Sequence, residues 1–108
     1  MNVEQIIINA VSPYVTEVVP NKYTGTSKEY CVFNYDVIPR VFADSTPNAF
    51  IHMIQLHWFC GHKTNPNTKR KQIAEALHGA GTTFPSIVNA SDEGGQHYVF
   101  ECELEANL

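Results

Sequence analysis

The side chains best suited to chemistry bunch near the middle of the chain: His52, His57, Cys60 and His62, with Cys31 and Cys102 elsewhere. Imidazole and thiolate together are zinc donors, and a thiol beside an imidazole is a nucleophile with its base. Spacing works against both. His52 and His57 fall in a run that reads as a strand, at an odd separation, so they face opposite sides. Cys60-Gly61-His62 offers only a pair of ligands, whereas a structural zinc site closes with about four, usually in closely spaced pairs. No Gly-x-Ser-x-Gly elbow occurs, no helix start lies behind Cys60 to lower its pKa, and no Gly-x-x-x-x-Gly-Lys cradles phosphate. The reading is that there are no catalytic, metal-binding or cofactor-binding residues, and that the chain is not an enzyme. Three cysteines, an odd number without an export leader, read as reduced, buried thiols.

Charge placement says more. Lys63, Lys69, Arg70 and Lys71 are four of the seven basic residues. Beyond residue 71 there is no Lys or Arg, while Glu75, Asp92, Glu93, Glu101, Glu103 and Glu105 remain. Lys69, Arg70 and Lys71 fall early in a helical pattern, where the macrodipole opposes positive charge, so a compensating surface is expected. A heterologous contact between copies, basic 63–71 against acidic 92–105, would supply it. Glu101, Glu103 and Glu105 alternate along a strand and share a solvated face.

The elements that must position these residues follow from periodicity. Asn2 caps a first helix, with Gln5 completing a capping-box pattern and Val3, Ile6, Ile7, Ala10 and Val11 forming its apolar stripe. Ser12-Pro13 ends it. Ile8 lies off the stripe, so either the buried face is wide or Ile8 meets another subunit. A short extended piece and a surface loop occupy 14–29. Residues 30–35 read as a strand. Pro39 and Pro47 bracket an exposed excursion or edge segment, unusually greasy at Val37, Ile38, Val41 and Phe42, because a central strand does not tolerate Pro. Residues 50–60 are apolar on both faces, which suits a central strand or one with a partner subunit over its second face. Asn65 and Pro66 start a second helix whose buried face is Ile73, Ala74, Ala76, Leu77 and Ala80. A Pro85-broken edge strand, a turn at 92–95 and an alternating strand 97–104 complete the chain, with a frayed tail.

This order predicts a single α+β domain over residues 1–108: a small mixed, mainly antiparallel sheet of about four strands flanked by two helices. The length of 108 residues leaves no room for a second core, and 44% apolar residues exclude wholesale disorder. Only 17% of residues are charged, sparse enough to suggest partial cover by other protein. The acidic balance, −4 formally, argues against a general nucleic-acid binder. The longest aliphatic run, Ile6-Ile7-Ile8, is far too short to span a bilayer, so no membrane partner is expected.

Several runs stand in order: Tyr23-Thr24-Gly25-Thr26, Glu29-Tyr30-Cys31-Val32-Phe33-Asn34-Tyr35, Val41-Phe42-Ala43-Asp44, Lys63-Thr64-Asn65-Pro66-Asn67, Asn89-Ala90-Ser91-Asp92 and Gln96-His97-Tyr98-Val99-Phe100-Glu101-Cys102-Glu103. From about residue 14 to 104 the chain resembles the small tail-completion, or tail-terminator, proteins (minor tail, head–tail joining) of long-tailed phages and prophages of Gram-positive bacteria. The resemblance implies a homo-oligomeric ring, commonly a hexamer, at the head-proximal end of the tail tube. The ring would end tube polymerisation and join the tail to head-completion or connector proteins. It also implies assembly in the host cytoplasm and residence in the virion tail, with the major tail tube protein as partner and DNA only as a passenger. A head-side connector or minor capsid role in the same gene cassette is the near alternative; a small cytoplasmic enzyme or ligand-binding module is the distant one. The expected subunit or partner contacts are Val37, Ile38, Val41, Phe42, Lys63, Lys69, Arg70, Lys71, Asp92 and Glu93. Glu101 and Glu103 are expected to line the lumen, where carboxylates would repel DNA phosphates.

Overall fold

A computed structural model describes residues 2–41 and 47–106, with Val41, Pro47 and Asn48 as backbone only. The elements run α1 (Val3–Val11), β1 (Val18–Pro20), β2 (Tyr30–Val41), β3 (Pro47–Cys60), α2 (Asn67–Gly79), β4 (Ser86–Asn89) and β5 (Gln96–Ala106). The strands form a five-stranded sheet, one more strand than expected, in the order β1-β2-β3-β5-β4. β1 pairs parallel to β2 and every other neighbour is antiparallel. The α+β class therefore holds, and the extra strand is β1, which the turn-rich sequence around it disguised.

Both helices lie on one face. Alternation along β2, β3 and β5 sends Cys31, Phe33, Ile54, Leu56, Trp58, Cys60, Tyr98, Phe100, Cys102 and Leu104 to that face, where they pack with Val3, Ile7 and Val11 of α1 and Ile73, Ala74 and Leu77 of α2. Ile6, Ile8 and Ala10 are half-buried against the same core, so the buried face of α1 is wide enough to include Ile8. The Asn2 side chain accepts from the Gln5 amide at 2.9 Å and caps α1 as its sequence demands. Tyr35 Oη donates to Glu4 at 3.0 Å and fastens the start of α1 to β2. All three cysteines are buried and unpaired, and burial pushes each thiol above its ordinary pKa.

Several boundaries differ from expectation: β3 already begins at Pro47, β4 spans Ser86–Asn89, and three others have a structural cause. α2 begins at Asn67, because Pro66 is its capping residue and the Asn65 side chain accepts from the Asn67 amide at 3.1 Å. β5 runs to Ala106, since Glu105 and Ala106 pair with Ile51 and Phe50 of the long β3. Pro39, read as part of an excursion, lies inside β2 opposite Phe50. The reason is strand parity. The Cys31 amide donates to Glu17 and the Asn21 amide to the Phe33 carbonyl, so odd residues of β2 turn their peptide groups toward β1. β1 ends opposite Phe33, so Pro39 faces an unoccupied edge and its missing N–H breaks no ladder bond. Phe42 lies outside the described residues.

The molecule is long, 54 × 25 × 24 Å, with a radius of gyration of 14.8 Å. A globular chain of this length would be near 13 Å. The long β2–β3 pair accounts for the difference. Among the described residues no helix is long and apolar enough to cross a membrane.

Candidate interaction surface on the open face of the sheet

Among the described residues no helix covers the second face of the sheet. Register arranges its side chains in cross-strand rows: Tyr30–Phe59–His97, then Val32–His57–Val99–Val88, then Asn34–Gln55–Glu101–Ser86, then Asp36–Met53–Glu103, then Ile38–Ile51–Glu105. One end is therefore aromatic and the other acidic. Met53 is 42% and Ile38 47% exposed, too much apolar surface for a face meant only for water.

At the aromatic end four rings form a continuous stack across the strands. Tyr23 and Tyr30 lie 4.0 Å apart, Tyr30 and Phe59 4.8 Å, Phe59 and His97 4.1 Å, all nearly parallel. His57 joins from the next row, with its Nδ1 2.8 Å from His97 Nε2. Burial pushes both imidazoles below their ordinary pKa; Glu101 partly opposes this at His57, while at His97 the His57 charge adds to it and Asp92 opposes it. Tyr30, Phe59 and His97 line a cavity of about 630 Å³ together with Lys28, His62 and Asp92.

At the acidic end Asn34, Asp36, Met53, Gln55, Glu101 and Glu103 enclose a hollow of about 340 Å³. Gln55 Nε2 donates to Glu101 at 3.4 Å. Arg40 pairs with Glu105. Glu101 and Glu103, expected to line a lumen, stand exposed on this face rather than under a helix.

The basic segment is arranged differently from the expected patch. Lys69 Nζ lies 3.2 and 3.0 Å from the two oxygens of Glu29, and Glu29 also accepts from Trp58 Nε1 at 3.1 Å. Arg70 lies 5.0 Å over the Tyr98 ring and donates to Asn67 at 2.7 Å. Lys71 is 3.8 Å from Glu75, one turn on. The cations near the start of α2 are thus compensated within the chain. Lys63 sits exposed in the loop before α2. Asp92 and Glu93 lie beside that loop, since His62 Nε2 contacts the Glu93 carbonyl at 2.8 Å and Gln96 donates to the Thr64 carbonyl at 2.6 Å. The acidic third is therefore split: Asp92 and Glu93 share an end with the basic segment, and Glu101 to Glu105 run toward the other.

Of the remaining contact candidates, Val37 and Ile38 are exposed on opposite faces of β2, and Val41 pairs with Pro47 just after a register shift. His52 and Cys60 point into the helix-covered core, His57 onto the open face and His62 into a loop, so these side chains do not converge. Alternation alone placed His57 and His97 outward. Their meeting and the Trp58–Glu29–Lys69 junction depend on register between distant segments, which no local signal carries. No family model matches the chain, and no curated protein is similar to it.

Proposed function

We propose that this chain is a structural assembly subunit of a phage or prophage tail, forming a ring at the head-proximal end of the tail tube that ends polymerisation and joins tail to head. The observation that carries the reading is the sheet packed on one face only, with an open face graded from aromatic to acidic along a 54 Å molecule. An uncovered sheet face with Ile38 and Met53 exposed suits cover by other protein. The opposite character of its two ends suits a head-to-tail, heterologous contact, which is the kind that closes into rings. Where a neighbour leaves the acidic rows uncovered, Asp36, Glu101 and Glu103 would face passing DNA and keep it from sticking.

The internal pairing of Lys69 and Lys71 shifts the expected subunit contact away from α2 and onto the open face with the β2–β3 tip. The test is native mass and light scattering over a range of concentrations, alone and with tail tubes of the source phage. A closed ring, free or on the tube end, is the expected result. A strict monomer that leaves tube length unchanged would sink the reading.

A further inference from the structure

We propose that the His57–His97 pair is an acid-operated latch in the open face: one added proton leaves it closed, and a second drives the imidazoles apart and opens the aromatic end of the sheet. At 2.8 Å between His57 Nδ1 and His97 Nε2, one proton lies between the facing nitrogens. In the neutral pair one ring donates and the other accepts, and each keeps its outer nitrogen for solvent or neighbours. A first added proton goes to the outer nitrogen of the donating ring. The inner bond survives, its donor and acceptor unchanged, while burial opposes the added charge. A second proton has no outer acceptor left that preserves the bond. It must occupy the inner nitrogen of the accepting ring, so two N–H groups and two cations then face each other at contact distance. The bond becomes repulsion.

The surroundings make this step consequential. His97 is held against Phe59 at 4.1 Å, and Phe59 continues through Tyr30 to Tyr23. Displacing His97 therefore unseats the end of a four-ring stack that crosses β5, β3 and β2 and ends at Tyr23 in the loop before β2. The same ring walls the 630 Å³ cavity, so the cavity widens as the latch opens. The charged and titratable groups facing the pair come from every neighbouring element. Glu101 of β5 favours the proton on His57 and Asp92 of the turn before β5 favours that on His97, while Lys28 before β2, Tyr30 of β2 and His62 after β3 line the cavity beside the pair. Val32 and Val99 flank His57 and offer no hydrogen bond that would replace the lost one. The latch is a property of one chain and does not depend on the ring.

The test uses the intact protein and its His57→Gln variant, whose amide can still bond His97 but carries no charge. Backbone hydrogen-exchange protection of residues 57–59 and 97–99 is compared at about pH 7.5 and about pH 4.5. The ratio of parent to variant protection should fall on the order of tenfold on acidification, the factor that one pK unit of differential proton binding supplies. The His57 and His97 resonances of the parent should titrate in two separated steps, and the His97 resonance of the variant in one. Should His57→Gln fail to fold, His97→Gln takes its place with the same readouts. Equal protection ratios at both pH values, or two imidazoles titrating independently in the ordinary histidine range, would overturn the latch.

Discussion

Glu29 is the residue on which one end of the molecule turns. Its carboxylate accepts from Trp58 of the sheet and from Lys69 of α2, joining two layers through one side chain. Hydrogen bonds to charged groups contribute about 1.5–3 kcal/mol, so Glu29→Ala should lower unfolding free energy by about 2 kcal/mol in urea titration. Glu29→Gln, which keeps the Trp58 bond, should lose less. Both imidazoles of the histidine pair are held below their ordinary pKa, so the unfolded chain binds protons first as pH falls. Stability is then full above about pH 6.5 and declines on acidification, with a slope that His57→Gln reduces. Gly25 has a narrower role. A Cβ there would lie 2.3 Å from Tyr23 Oη, which also accepts from the Ser27 amide at 2.8 Å. Gly25→Ala should push Tyr23 off the ring stack and weaken the near-UV tyrosine dichroism.

The strands and helices were legible to different depths. The α1 cap, the alternation of β3 and β5 and the break at Pro85 could all be read locally, because each depends on residues within one turn or one strand. Pro39 could not. Whether a proline is tolerated depends on which side its peptide group faces and on where the neighbouring strand stops, and β1 stops opposite Phe33. The parity argument is testable. Pro39→Val should leave stability within about 0.5 kcal/mol. Asn34→Pro, whose peptide group turns toward Gln55 of β3, should cost a ladder bond and about 1–3 kcal/mol, seen as a lower urea midpoint. The partners of the basic segment were hidden for a related reason. Lys69 and Arg70 look uncompensated along the chain, yet their partners Glu29 and Tyr98 are distant in sequence and near only once the sheet has formed, while Lys71 has Glu75 one turn on.

At the scale of the molecule, charge is distributed by face as well as by segment. Helices cover one side of the sheet, and the other keeps Asp36, Glu101 and Glu103 in adjoining rows. If six such faces line a pore, Glu101→Lys with Glu103→Lys should make assembled rings retain duplex DNA at low salt and release it at high salt, measured by co-sedimentation. The parent ring should retain none at either. The strand order carries a consequence for how the chain comes into being. β5, the last of the described strands in chain order, is inserted between β3 and β4 rather than added at a margin. Until residues 96–106 have emerged, β3 is a raw edge, β4 has no neighbour, and Trp58 and Leu56 lack the wall that Tyr98 and Phe100 provide. The nascent chain must therefore wait unfinished until residues 96–106 have emerged, and chaperone demand should persist until then.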